Sequence, residues 1–226
     1  NLNVARGKVR GASVLNIFGF NASTTTNMRA LWELADTSAY VFPTSAVNMT
    51  VTSDAADDGE VVRIIGLDAN YEEIAENVTL NNATPPTTTL AFFRINNVVM
   101  TSATNTANVT IANGGVTYAR IDAGRGTNQA SIYTVPAGCE FYLYRIDAFM
   151  NDASAAKPGL FRNQVTLSDG RTLRVADTPY LNQMNIKRDF PFKYSEKTDI
   201  QLQVATLGGT TYAGVFGEGV LLKEEF

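Results

Sequence analysis

The chain contains no histidine, one cysteine and one tryptophan among its 226 residues. Each shortage removes a class of chemistry. Without imidazole, Ser-His-Asp and Cys-His nucleophilic systems, HExxH zinc sites and histidine general bases are all excluded. With Cys139 alone, neither an intrachain disulfide nor a thiolate metal cluster can form. Cys139 also has no imidazole to activate it, so it is read as a small core residue. No apolar run approaches the roughly 18 residues that a membrane-spanning helix needs. A basic excess is missing too: 18 Lys and Arg against 22 Asp and Glu give a net charge of −4. That balance argues against direct nucleic-acid binding. The opening residues, Asn1 to Arg6, lack the charged-then-apolar layout of a secretory leader. They also lack an initiating Met, which leaves room for processing or for a leader upstream.

What is present is short alternation between polar turns. Val47, Met49 and Val51 alternate with Asn48, Thr50 and Thr52, as Ile200, Leu202 and Val204 do with Gln201, Gln203 and Ala205. A period of two puts one face on a core and the other in water. Further strands are expected at 61–67, 74–80, 90–100, 109–112, 116–121, 141–149, 165–167, 173–175 and 215–222. The most telling stretch is 132–144, where two aromatic, β-branched runs flank Pro136-Ala137-Gly138. Proline presets φ and glycine supplies a positive φ, so a strand, a tight corner and a second strand follow. Asp68-Ala69-Asn70 reads as another turn, joining a hairpin to the alternating Ile74, Glu76, Val78 and Leu80. Helical signal is confined to 28–35, where Met28, Leu31 and Ala35 could share one side of two turns.

This strand pattern points to an all-β sandwich or barrel; taken together with the motif series described below, the expected fold is an antiparallel, jelly-roll-like β-sandwich with little helix. One domain over 1–226 is expected, with sub-boundaries considered at 81–89, which holds Pro85-Pro86, and at 151–159, which ends in Pro158-Gly159.

The densest acidic group is Asp54, Asp57, Asp58 and Glu60, around Gly59. Calcium takes six to eight oxygen ligands, but this spacing is not that of an EF-hand loop. A solvated turn is the preferred reading, with calcium a weak candidate and no metal or other cofactor expected. Glu72, Glu73 and Glu76 are close enough in sequence to be considered for acid–base work. Sequence proximity does not set two carboxyls across a cleft, so a charged surface is expected and no catalytic residue is assigned. The glycines at 124–126 and 214–219 are followed by no helix, which excludes a phosphate loop and leaves turns or close strand packing. Arg6, Lys8 and Arg10 form a small basic arm, read first as solvated, with pairing to an acidic neighbour in an assembly as the interface alternative. Tyr142 and Tyr144, in the aromatic strand with Phe141 and Phe149, are candidate interface residues, since tyrosine suits a surface that meets protein.

A series of segments follows in order along the chain: Gly7-Lys8-Val9-Arg10-Gly11-Ala12-Ser13-Val14, Phe18-Gly19-Phe20-Asn21, Leu31-Trp32-Glu33, Tyr40 and Pro43-Thr44-Ser45-Ala46. It continues with 62–81, which opens Val62-Arg63-Ile64-Ile65-Gly66-Leu67-Asp68-Ala69-Asn70-Tyr71. Phe93-Arg94-Ile95, Tyr133 to Gly138 and Glu196-Lys197-Thr198-Asp199-Ile200 complete it. In this order the segments resemble a family of tailed-bacteriophage virion proteins of marine and environmental phages. Asn82 departs from the family's glycine after Leu-Asn. The resemblance implies a non-enzymatic structural protein on the phage particle. The expected version is a capsid decoration or cement protein, a homotrimer partnered by the major capsid protein or other virion proteins. It would contact neither nucleic acid nor membrane. The alternative is a tail or tail-fibre-associated protein that binds a host receptor or glycan, with Trp32 as one of its supports.

Overall fold

The computed structural model describes residues 2–151 and 157–223. A four-residue helix, α1 (Leu2–Ala5), precedes a chain built of strands. The first nine are β1 (Ala12–Thr24), β2 (Arg29–Ala30), β3 (Val47–Thr52), β4 (Val61–Leu67), β5 (Glu73–Thr79), β6 (Thr87–Phe92), β7 (Arg94–Met100), β8 (Val109–Asn113) and β9 (Val116–Ile121). There follow β10 (Ile132–Thr134), β11 (Cys139–Asn151), β12 (Pro158–Thr166), β13 (Thr172–Leu181), β14 (Gln183–Tyr194), β15 (Asp199–Thr206) and β16 (Thr211–Lys223). Strand pairing among the described residues is antiparallel throughout.

Where one domain with breaks near 81–89 or 151–159 is expected, the chain divides into two compact units. Asn1–Ala39 joins Ala130–Phe226, and Tyr40–Gln129 forms the other. The loop at 81–89 joins β5 to β6 inside the second unit, and 151–159 includes residues outside the described ones.

In the first unit β13 and β14 meet at one pair, Leu181 with Gln183, which divides the strand path in two. One sheet runs β1-β16-β11-β14 and the other β10-β15-β12-β13, with β2 added to β15. Leaving out the two-residue β2 and numbering by order within the unit, the eight remaining strands read 1-8-3-6 and 2-7-4-5. That is the double Greek key of a jelly roll; alternation alone leaves sandwich and barrel open, and the strand order decides. Its core gathers Phe141, Leu143, Ile146, Phe161, Leu202, Val204 and Val215 from both sheets, and Cys139 is buried among them.

The corner at Pro136-Ala137-Gly138 is what moves the chain from one sheet to the other. The Cys139 amide donates to the Pro136 carbonyl at 3.3 Å, and Gly138 holds φ +65°. β10 and β11 are therefore not a hairpin; they lie in opposite layers. The glycine series of β16 serves close packing. A Cβ at Gly219 would sit 2.3 Å from the Phe141 ring, and one at Gly217 would sit 2.9 Å from Leu202 Cδ1.

The second unit is a smaller sandwich, β6-β3-β8-β9 facing β5-β4-β7, around Met49, Ile64, Phe92, Val98 and Ile111. In chain order it occupies the connection between the first and second jelly-roll strands. The 68–72 turn forms as expected, with Asp68 Oδ1 accepting from the Asn70 and Glu72 amides at 2.8 and 2.9 Å.

Two expectations are corrected. The helix at 28–35 does not form: Arg29 and Ala30 pair with Val204 and Gln203, and a turn follows. Leu31 and Trp32 are buried, and the Leu31 amide donates to Ser131 Oγ at 2.8 Å. Tertiary partners have displaced a weak local helical preference. The run 90–100 is not one strand either. It breaks at Phe93, whose amide donates to the Leu67 carbonyl, and its halves enter different sheets as β6 and β7.

Candidate functional site

The outer face of the β1-β16-β11-β14 sheet carries the features that a solvated sheet face does not need. It begins with a break in alternation on β11. Phe141 and Leu143 point into the core, but so do Ile146, Ala148 and Met150. The parity changes because Leu143 pairs with Gly219 and Phe192, whereas Arg145 pairs with Glu218 and Lys187. Tyr144 is the extra residue of a β-bulge. Strict alternation would drive Arg145 and Asp147 inward, and the bulge turns both to the outer face.

Opposite this bulge β14 makes a larger excursion. Arg188, Asp189, Phe190 and Pro191 have no partner on β11. Arg188 braces the excursion: its Nε donates to the Phe190 carbonyl at 3.0 Å, and its guanidinium carbon lies 4.0 Å from the Phe192 ring centroid. Phe190 is left 84% exposed. Between the two irregularities lies an open concavity of about 770 Å³, lined by Tyr142, Tyr144, Lys187, Asp189, Pro191 and Val220 among others.

Charge on this face is mostly paired internally. Lys193 Nζ lies 2.5 Å from Glu140 Oε1, and the Tyr142 hydroxyl donates to Glu140 Oε2 at 2.7 Å. The lysine and then the tyrosine hold the Glu140 carboxyl below its usual range, while that carboxylate raises Tyr142. Burial, and then the Glu218 carboxylate, push Tyr144 up to about 12. Arg145 Nε lies 2.8 Å from Asp147 Oδ2, and Asn185 donates to Asp147 Oδ1. Among the described residues, the side chains of Lys187 and Asp189 have no hydrogen-bonded or ionic partner.

Beside the concavity the face turns apolar. Phe18 pairs with Phe216, and Val14 with Val220. Phe20 pairs with Gly214, over which Phe149 lies: a Cβ on Gly214 would be 2.2 Å from Phe149 Cζ. Phe18 and Phe149 are 36% and 38% exposed. Large apolar side chains gathered on an outer sheet face mark a surface that meets something other than water.

The sequence-based candidates fare unequally. Tyr142 and Tyr144 come together at the concavity, half-buried. Arg6, Lys8 and Arg10 are exposed on the segment leading into β1, and none lines the concavity. The acidic group does not converge. Asp54 Oδ1 caps the short turn at 55–57, Asp57 is buried and accepts from the Thr106 and Ala107 amides, Asp58 accepts from Asn82, and Glu60 accepts from Ser102. No cluster of three metal-ligating side chains occurs among the described residues. Glu76 fastens β6, accepting from the Thr89 and Leu90 amides at 2.8 Å each. Trp32 is no exposed sugar platform: it is 2% exposed, and its Nε1 donates to the Ser38 carbonyl at 3.1 Å.

The β14 residues went unread in the sequence although two signals were there. Pro191 within a strand-like run marks a bulge or an edge. The shift of apolar parity between Leu143 and Ile146 marks the bulge facing it.

No protein-family model matches the chain, nor does any curated protein sequence. Among solved structures, those of the Gx and Gt strains of infectious bursal disease virus are similar at 12% identity. They align with 94% and 95% of this chain and 71% and 73% of theirs, at TM-scores of 0.25 and 0.23. A mutant VP2 protein of the same virus, in derived T=1 particles, aligns at 11% identity with a TM-score of 0.23. TM-scores of this size support no inference, and the fold assignment rests on strand order alone.

Proposed function

We propose that the protein is a non-enzymatic structural component of a bacteriophage virion, working on the particle surface as a capsid decoration or cement protein. The observation that carries this reading is the apolar outer face of Phe18, Phe20, Phe149 and Phe216 beside the concavity. A jelly roll has no internal use for such a face, whereas an assembly buries it. The ordered motif similarity to phage virion proteins points the same way, and viral capsid domains are among the users of the jelly roll. The working form is a homotrimer seated on the major capsid protein or another virion protein. Weak contacts repeated over a particle lattice sum to strong attachment. Light scattering on the purified chain, with co-sedimentation on empty capsids, tests this. A trimer that binds capsids is the expected result, and a monomer that does not bind them refutes the decoration role.

A second reading is a tail or tail-fibre-associated protein that binds a host glycan or receptor. The concavity favours it, because tyrosine rings beside amide and charged groups suit a saccharide. Glycan-array binding and host-cell adsorption separate the two, since a decoration protein gives neither.

A further inference from the structure

We infer that the Phe190 excursion and the concavity beside it form one self-complementary contact, through which two copies associate about a two-fold axis. Each copy inserts its Phe190 ring into the other's concavity. The inference rests on the self-association in the proposed function and adds to it a contact able to join one homo-oligomer to the next.

Three observations carry it. First, the finger is organised before it binds. The Arg188 side chain is folded back on the Phe192 ring and on the Phe190 carbonyl, so a phenyl ring 84% exposed is presented on a braced backbone. A preset aromatic anchor loses little entropy on docking and is the type of residue that dominates interface energies. Second, the concavity offers apolar wall to receive it, in Tyr142, Tyr144, Pro191 and Val220, within about 770 Å³.

Third, the charges beside the finger fit a second copy of the same chain. Lys187 and Asp189 both line the concavity, have opposite sign, and have no partner among the described residues. Their neighbours are already engaged, Arg145 with Asp147 and Lys193 with Glu140. Residue i meets residue j, and j meets i, across a two-fold axis. Lys187 of each copy then faces Asp189 of the other, and both unpaired charges are satisfied twice over. A head-to-tail contact would satisfy one set and leave the other idle.

The test is sedimentation velocity over a concentration series on the full chain. Phe190→Ser, Lys187→Asp and Asp189→Lys are compared with wild type, with circular dichroism confirming the fold of each. Wild-type trimers are expected to associate further as concentration rises, through two-fold-related pairs of subunits, and Phe190→Ser to weaken that pairing about thirtyfold while leaving the trimer intact. Each charge reversal sets like charges together and weakens pairing roughly tenfold or more. An equimolar mixture of Lys187→Asp and Asp189→Lys chains restores it, because both cross-copy pairs are then attractive. Absence of pairing in wild type, reversals that pair like wild type, or a mixture that gains nothing would each overturn the inference. Capsid co-sedimentation on the same samples judges the proposed function separately. Wild type that binds capsids without Phe190-dependent pairing removes the contact alone, and wild type that fails to bind removes the decoration role.

Discussion

Replacing Asp57 gives a quantitative test of what the acidic segment does. The side chain is 1% exposed, and its two carboxylate oxygens accept from the amides of Thr106 and Ala107 at 2.6 and 3.0 Å. One short carboxylate thus holds together segments some fifty residues apart in sequence. Asp57→Ala strands both donors. A hydrogen bond to a charged group contributes about 1.5–3 kcal/mol, so losing two is expected to cost about 3–6 kcal/mol. Asp57→Asn is the sharper control. It keeps one acceptor but turns an NH₂ group toward the second amide, with an expected cost of about 2–3 kcal/mol. For a unit the size of Tyr40–Gln129, each kcal/mol lowers the melting temperature by about 4–8 °C, so Asp57→Ala should lose roughly 12 °C or more. Calorimetry reads the loss, and hydrogen exchange at the Thr106 and Ala107 amides locates it. Calcium at millimolar concentration should leave the wild-type transition unmoved, because Asp54, Asp57, Asp58 and Glu60 are each bound to a different protein donor. An Asp57→Asn protein within about 0.5 kcal/mol of wild type would refute the two-acceptor argument.

Other outcomes follow from single contacts. Gly19→Ala meets backbone, with its Cβ 2.6 Å from the Leu31 carbonyl oxygen and 2.7 Å from the Ser131 nitrogen. The atoms nearest a Cβ on Gly214 all belong to the exposed Phe149 ring, which can move, so urea denaturation should show Gly19→Ala costing about 2–4 kcal/mol and Gly214→Ala clearly less. Burial raises the Tyr194 hydroxyl to about 12, although the hydrogen bond from Asn163 works against the shift. Its contribution to stability is complete below the unfolded value near 10 and is lost as pH climbs through the folded one. The urea midpoint should therefore fall between about pH 10 and pH 12, and Tyr194→Phe should flatten that fall while weakening the protein at neutral pH. Arg94 lies 4.0 and 4.8 Å from the Phe93 and Phe42 ring centroids and donates to the Pro43 and Phe93 carbonyls. Arg94→Lys keeps the charge but loses the planar fork, and thermal unfolding should register about 1–3 kcal/mol.

The class of the fold and much of its strand inventory can be read from residue order alone. Alternation is a local property, since successive side chains on an extended chain must face opposite ways. Val61–Leu67 and Val116–Ile121 were thus legible to the residue, as were the turn at Asp68 and the packing role of Cys139. Strands whose outer face is also apolar or heavily charged were not legible. β1 and β14 are of this kind, and they build the face that Phe18 and Phe190 occupy. Which strands become neighbours is a matter of long-range packing. That packing places β10 and β11 in opposite sheets, draws 29–30 out of a helical reading into an edge pairing, and folds 40–129 into a sandwich of its own. The same holds for the site. Tyr142 and Tyr144 could be singled out as aromatic, but their concavity exists because a one-residue bulge on β11 meets a four-residue excursion on β14. Pairing between strands some forty residues apart sets that geometry, and no local pattern encodes which distant strand will be the partner.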